Sequence, residues 1–97
     1  NQGEDPKIYF LRSKEQVEID FLVQLPNQRF IAIEVKTTPA DLSASQIQLL
    51  ESLDLQIIEK WIVSGSNSPN FKNARVVPID QLFANFERIR EISNSEN

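Results

Sequence analysis

Between Val17 and Leu25 apolar and polar residues alternate. Val17, Ile19, Phe21 and Val23 fall on one side; Glu18, Asp20, Leu22 and Gln24 fall on the other. A period of two is the mark of an extended strand. Pro26-Asn27-Gln28 breaks the run. Arg29 to Thr37 then alternates again, with Arg29, Ile31, Ile33 and Val35 opposed to Phe30, Ala32, Glu34 and Lys36. The two runs predict a hairpin. Ahead of it, Lys7 to Arg12 (KIYFLR) has the branched and aromatic content of a short strand, followed by the polar turn Ser13-Lys14-Glu15-Gln16.

Past the hairpin the period changes. Ser43-Ala44-Ser45-Gln46 has the form of a capping box, and Ile47, Leu49, Leu50 and Leu53 follow at helical spacing, which predicts a helix to about Leu55. Glu59 to Ser64 reads as a fourth strand, ending in the loop Gly65 to Asn70. Arg75-Val76-Val77 is a short apolar segment stopped by Pro78. Asp80 is placed to cap a last helix with the stripe Leu82, Phe83, Phe86 and Ile89. Residues 1–6 and 93–97 read as loose ends. The order β-β-β-α-β-(β)-α predicts a mixed sheet with flanking helices, α/β in class and bordering on α+β. No internal repeat or low-complexity tract interrupts it.

Composition narrows the chemistry more than the fold. The 97 residues suit one domain spanning 1–97, and the abrupt start NQGEDPK reads as a piece of a longer protein. With no histidine, Ser-His and Cys-His nucleophile pairs and His-ligated zinc are excluded. With no cysteine, disulfides and iron–sulfur ligation go too, which fits a cytoplasmic protein. No apolar run reaches the roughly 18 residues of a membrane span. The net charge of −4 makes the domain a weak free-standing DNA binder, because phosphate neutralisation supplies most non-specific affinity. Oligomeric state leaves no mark on the sequence.

The hairpin holds the candidate chemistry. A three-residue loop at Pro26-Asn27-Gln28 would set Asp20 opposite Glu34 and Glu18 opposite Lys36; a two-residue slip would keep the faces and move the partners along. Directly opposed residues have Cβ atoms roughly 4.5–5.5 Å apart, and opposed like charges destabilise a sheet. A divalent cation relieves such crowding, and Mg²⁺ favours sites with one or two carboxylates completed by water and phosphate oxygens. A lysine beside it can act on a water, so the parts suffice for hydrolysis of a phosphodiester without histidine. The same charges also fit the solvated face of an ordinary hairpin. They sit, however, in the most apolar part of the chain, where a central strand covered by helices would bury them and require partners.

These residues resemble the PD-(D/E)XK nuclease superfamily, in which a hairpin carries an acid followed by an acid-x-Lys triplet. The stretch IYFLRSKEQVEIDFLVQLPNQRFIAIEVKTT is similar, more closely, to the C-terminal DUF4143 domain of prokaryotic AAA+-type ATPases, and VVPIDQLF resembles that group's tail. The likeness runs from about Ile8 to Phe86. It implies a restriction-endonuclease-like sheet, with Asp20 and Glu34 holding Mg²⁺ (or Mn²⁺) together with the carbonyl of Val35. Lys36 would serve the attacking water, and Glu18 is a further metal candidate. A glutamine on the following helix often assists. Gln46 takes that position, although its capping box explains it equally well, whereas Gln48 falls toward solvent. The resemblance also implies an ATPase domain of the same parent chain as partner.

The chain departs from the superfamily pattern in two ways. Ile19 replaces the signature proline, and no helix fits before Lys7. Gly3 and Gly65 are the only glycines, so this segment has no Gly-rich phosphate loop. Trp61 reads as a core aromatic, and Lys60, Lys72, Arg75, Arg88 and Arg90 as scattered surface charge. Two functions follow: a Mg²⁺-dependent nuclease-like domain acting on DNA, or a non-catalytic docking or regulatory domain beside an ATPase.

Overall fold

The computed structural model describes residues 6–95. Five strands form one sheet in the order β1-β2-β3-β4-β5: β1 Lys7–Arg12, β2 Glu18–Leu25, β3 Arg29–Val35, β4 Gln56–Ser64 and β5 Arg75–Pro78. The first three are antiparallel neighbours, while β3, β4 and β5 run parallel. Helix α1 (Ala44–Ser52) crosses from β3 to β4, and α2 (Leu82–Ser95) closes the chain. This is the mixed sheet with flanking helices that the pattern predicts, and it is consistent with the restriction-endonuclease-like sheet that the resemblance implies. The loose ends expected at residues 1–5, 96 and 97 lie outside the described residues, whereas 93–95 continue α2.

Pro26–Gln28 forms a single 3₁₀ turn, with Asn27 and Gln28 both at positive φ. The turn closes the hairpin at Leu25 opposite Arg29, and the pairing runs without a slip to Phe21 opposite Ile33. Both faces of the hairpin are buried. Leu22, Phe30 and Ala32 join Leu42, Leu50 and Ile62 under α1; Val23, Ile31 and Ile33 join Trp61, Val77 and Ile89 under α2. Asp20, Glu34 and Lys36 are half-buried at the end of the hairpin, while Glu18 is exposed.

One side of the expected alternation is corrected by a bulge. Tyr9 pairs with Leu22 and Leu11 with Ile19, so Asp20 and Phe21 together stand opposite Phe10. An extra residue flips the phase of everything before it. Ile19 accordingly packs with Leu22 under α1, not with Phe21 and Val23. Three further boundaries move. Helix α1 ends at Ser52 and β4 begins at Gln56, because Asp54 takes a left-handed conformation (φ 54) that stops the helix early. Asp80 lies inside a 3₁₀ turn, Ile79–Gln81, and forms no cap. Phe83 faces solvent at 76% exposure, leaving Leu82, Phe86 and Ile89 to seat α2 on the sheet.

Charge reinforces that seat. Glu59 on β4 accepts from Trp61 Nε1 at 2.7 Å and from Arg88 of α2 at 3.1 and 3.2 Å, with Arg75 of β5 at 3.5 Å. Burial alone would push its carboxyl up, but the bonds from Arg88 and Trp61 and the charges of Arg88 and Arg75 outweigh that. The net is a pKa below its usual 4.5. A lowered folded-state pKa contributes stability that is present above the unfolded value and lost as pH falls through the folded one. Urea melts at falling pH, from 5 to about 3, should lose less stability in Glu59→Gln than in the parent domain. Parallel curves would remove Glu59 as a source of acid sensitivity.

Candidate functional site

The site grows from the bulge. The β2–β3 ladder stops at Phe21 opposite Ile33, so the next amides, those of Asp20 and Val35, have no strand partner there. Each is met by a carboxylate from the facing strand. The Asp20 N–H donates to Glu34 Oε1 at 3.0 Å, and the Val35 N–H donates to Asp20 Oδ2 at 2.8 Å. The two acids thus reach across the gap in opposite directions, each onto the backbone of the other's strand. Charge-assisted bonds of this kind are shorter and stronger than neutral ones.

Gln46 completes the arrangement from above. The capping box predicted from Ser43 and Gln46 is formed, with the Ser43 N–H donating to Gln46 Oε1 at 2.9 Å and the Gln46 N–H donating to Ser43 Oγ at 3.1 Å. The same side chain, buried under α1, donates through Nε2 to Glu34 Oε2 and to the Glu18 carbonyl, both at 2.9 Å. Capping and contact with the acids are therefore not alternatives: one amide oxygen caps the helix while the amide nitrogen ties it to both hairpin strands. Gln48 is exposed, as its position on the helix requires.

Glu18 and Lys36 do not meet. Glu18 pairs with Arg12 across β1, its carboxylate 2.8 Å from the guanidinium. The opposition of Glu18 to Lys36 expected from an unbroken ladder fails because the strands part after Phe21. Lys36 stands just past β3, two residues from Glu34, and its N–H donates to the Val63 carbonyl at 3.0 Å. Val35 is half exposed at the end of the sheet.

Two carboxylates on neighbouring strands match in number what Mg²⁺ commonly takes from a protein. An oxygen that accepts one N–H keeps another lone pair, so these bonds leave donor capacity in both side chains. The pair of acids therefore fits such an ion in kind. Among the described residues, no group of three or more acids is gathered.

The bulge left no mark in the sequence, because the apolar run Phe21-Leu22-Val23 is what a strand buried on both faces carries in any case. Glu59 left no signal either, since its partners Trp61, Arg75 and Arg88 come from three elements.

Comparisons with curated proteins and with solved structures give no match. A family model does: the one described as a domain of unknown function (DUF4143) matches residues 1–82, most of the chain, and the protein belongs to that family.

Proposed function

We propose that this is a non-catalytic docking or regulatory domain of an AAA+-type ATPase, in which the hairpin acids work as a clasp. The observation that supports it is the exchange of bonds at the bulge. Asp20 and Glu34 satisfy backbone amides that the parted strands leave without ladder partners, and Gln46 locks Glu34 to α1. Charge at this point has a structural use without a substrate. The DUF4143 membership favours an ATPase module in the parent chain. The outer strand β1 exposes Ile8 (64%) and Phe10 (83%), apolar surface suited to contact with that module.

A second reading draws on the placing of both acids at one end of the hairpin. Asp20 and Glu34, with the Val35 carbonyl, would hold Mg²⁺ or Mn²⁺, and Lys36 and Gln46 would orient water and DNA phosphate. The ion would supply Lewis-acid stabilisation of the phosphodiester. Glu18, paired with Arg12, would be a further ligand in this version.

Titration with Mg²⁺ and then Mn²⁺, followed by amide NMR shifts, separates the two. The docking reading expects no localised change at Asp20, Glu34 or Val35 up to roughly tens of millimolar, well above the range of dedicated cation sites. It also expects no nicking of plasmid DNA. Localised shifts, with nicking that disappears in Asp20→Ala and in Lys36→Ala, would replace it with the nuclease reading.

A further inference from the structure

Strand β4 is nine residues long, but its outer neighbour β5 is four. β5 pairs only with Trp61 to Ser64, so the outer side of β4 from Gln56 to Lys60 has no ladder partner among the described residues. The chain leading into β5 does not fill the gap. It forms the far wall of an open notch, with Ile58, Glu59 and Lys60 on the strand side and Asn70, Lys72 and Arg75 on the other.

The notch runs against the charge of the chain. In a protein of net charge −4, its walls carry Lys60, Lys72 and Arg75 against Glu59 alone. Glu59 is already shared between Arg75 and Arg88, at 3.5 and 3.1 Å. Lys60 and Lys72 form no ion pair among the described residues, so two positive charges face the notch uncompensated.

We propose that an extended acidic peptide segment of a partner protein adds to the outer side of β4 at Ile58–Lys60, in line with β5. Main-chain bonds to an open strand edge supply the affinity in this mode, and side-chain contacts supply the selection. Lys60 and Lys72 select carboxylates at alternate positions of the incoming strand. The edge offers N–H donors and C=O acceptors alternately, and a peptide backbone matches both. A phosphate backbone only accepts, and three cations are few for a track along nucleic acid. This rests on the docking reading and names the chemistry of one partner segment. Its test is independent of the metal titration, because it reads amides of β4 and residues 70–75 and not those of Asp20 and Val35.

The probe is a capped octapeptide of alternating Glu and Thr, added to the ¹⁵N-labelled domain, with an alternating Lys and Thr octapeptide and oligothymidylate as comparisons. The Glu peptide should shift amides of 58–60 and 70–75 and slow hydrogen exchange at 58–60. Affinity should fall as salt is raised. Lys60→Glu with Lys72→Glu should weaken it about tenfold or more. Lys72→Glu alone, at an exposed position, serves should the double variant fail to fold. The proposal is overturned by no shift at millimolar peptide, by equal binding of oligothymidylate, by unchanged exchange at 58–60, or by affinity indifferent to charge reversal.

Discussion

Trp61→Ala is expected to leave the domain largely unfolded near physiological temperature. The indole, on β4, is completely buried under α2, its ring centroid 5.1 Å from that of Phe86, with Nε1 bonded to Glu59. Truncating a buried Trp to Ala costs about 3–5 kcal/mol through lost transfer energy and the cavity left behind. Small domains have about 5–15 kcal/mol in total, with the smallest near the low end. The substitution also strips a donor from Glu59, loosening the carboxylate that holds Arg75 and Arg88. At roughly 4–8 °C per kcal/mol for this size, the melting temperature should drop by more than about 12 °C. Circular dichroism is the measurement to use, because Trp61 is the only tryptophan. Trp61→Phe should recover most of the loss. A fall under about 1 kcal/mol would show that α2 and the sheet do not share this core.

The second large effect is expected at Glu34. Glu34→Ala leaves the Asp20 N–H and Gln46 Nε2 without their acceptor. An unsatisfied buried polar group costs about 1–3 kcal/mol, and partial access to water at the strand end puts this pair near about 2 kcal/mol together. Glu34→Gln keeps an acceptor oxygen and should cost less than half as much. A double-mutant cycle with Gln46→Ala should show coupling of about 0.5–3 kcal/mol, as expected for groups in direct contact. Amide exchange at Asp20 and Val35 should speed up first, since those are the amides that the acids hold. If Glu34→Ala is neutral within about 0.5 kcal/mol, the clasp is not what keeps the acids in place, and the metal-binding reading gains.

These two sites differ in how far the chain announces them. A three-residue turn at Pro26-Asn27-Gln28 brings Asp20 near Glu34 by counting residues, and the pairing from Leu25 with Arg29 to Phe21 with Ile33 has that register. Gln46 is legible too, because helical spacing puts it on the face of Leu50, which is buried under α1. Glu18 is where counting misleads. Its partner depends on whether the hairpin ladder continues past Phe21, and the bulge opposite Phe10 ends it. Arg75 and Arg88 look like scattered surface charge in sequence, yet both converge on Glu59.

What the amino-acid order determines by itself is local: strand and helix periods, the hairpin turn, the helix cap, and the absence of histidine and cysteine that removes whole chemistries. Each depends on neighbours a few residues apart, where backbone geometry leaves few choices. Only the tertiary structure decides that Asp20 and Glu34 bond to each other's strands, that Arg12 takes Glu18, and that β4 outruns β5 to leave a cationic notch. Those outcomes depend on which strand lies next to which and where a ladder stops. Long-range packing sets both, because a shift of one residue there exchanges the two faces of a strand.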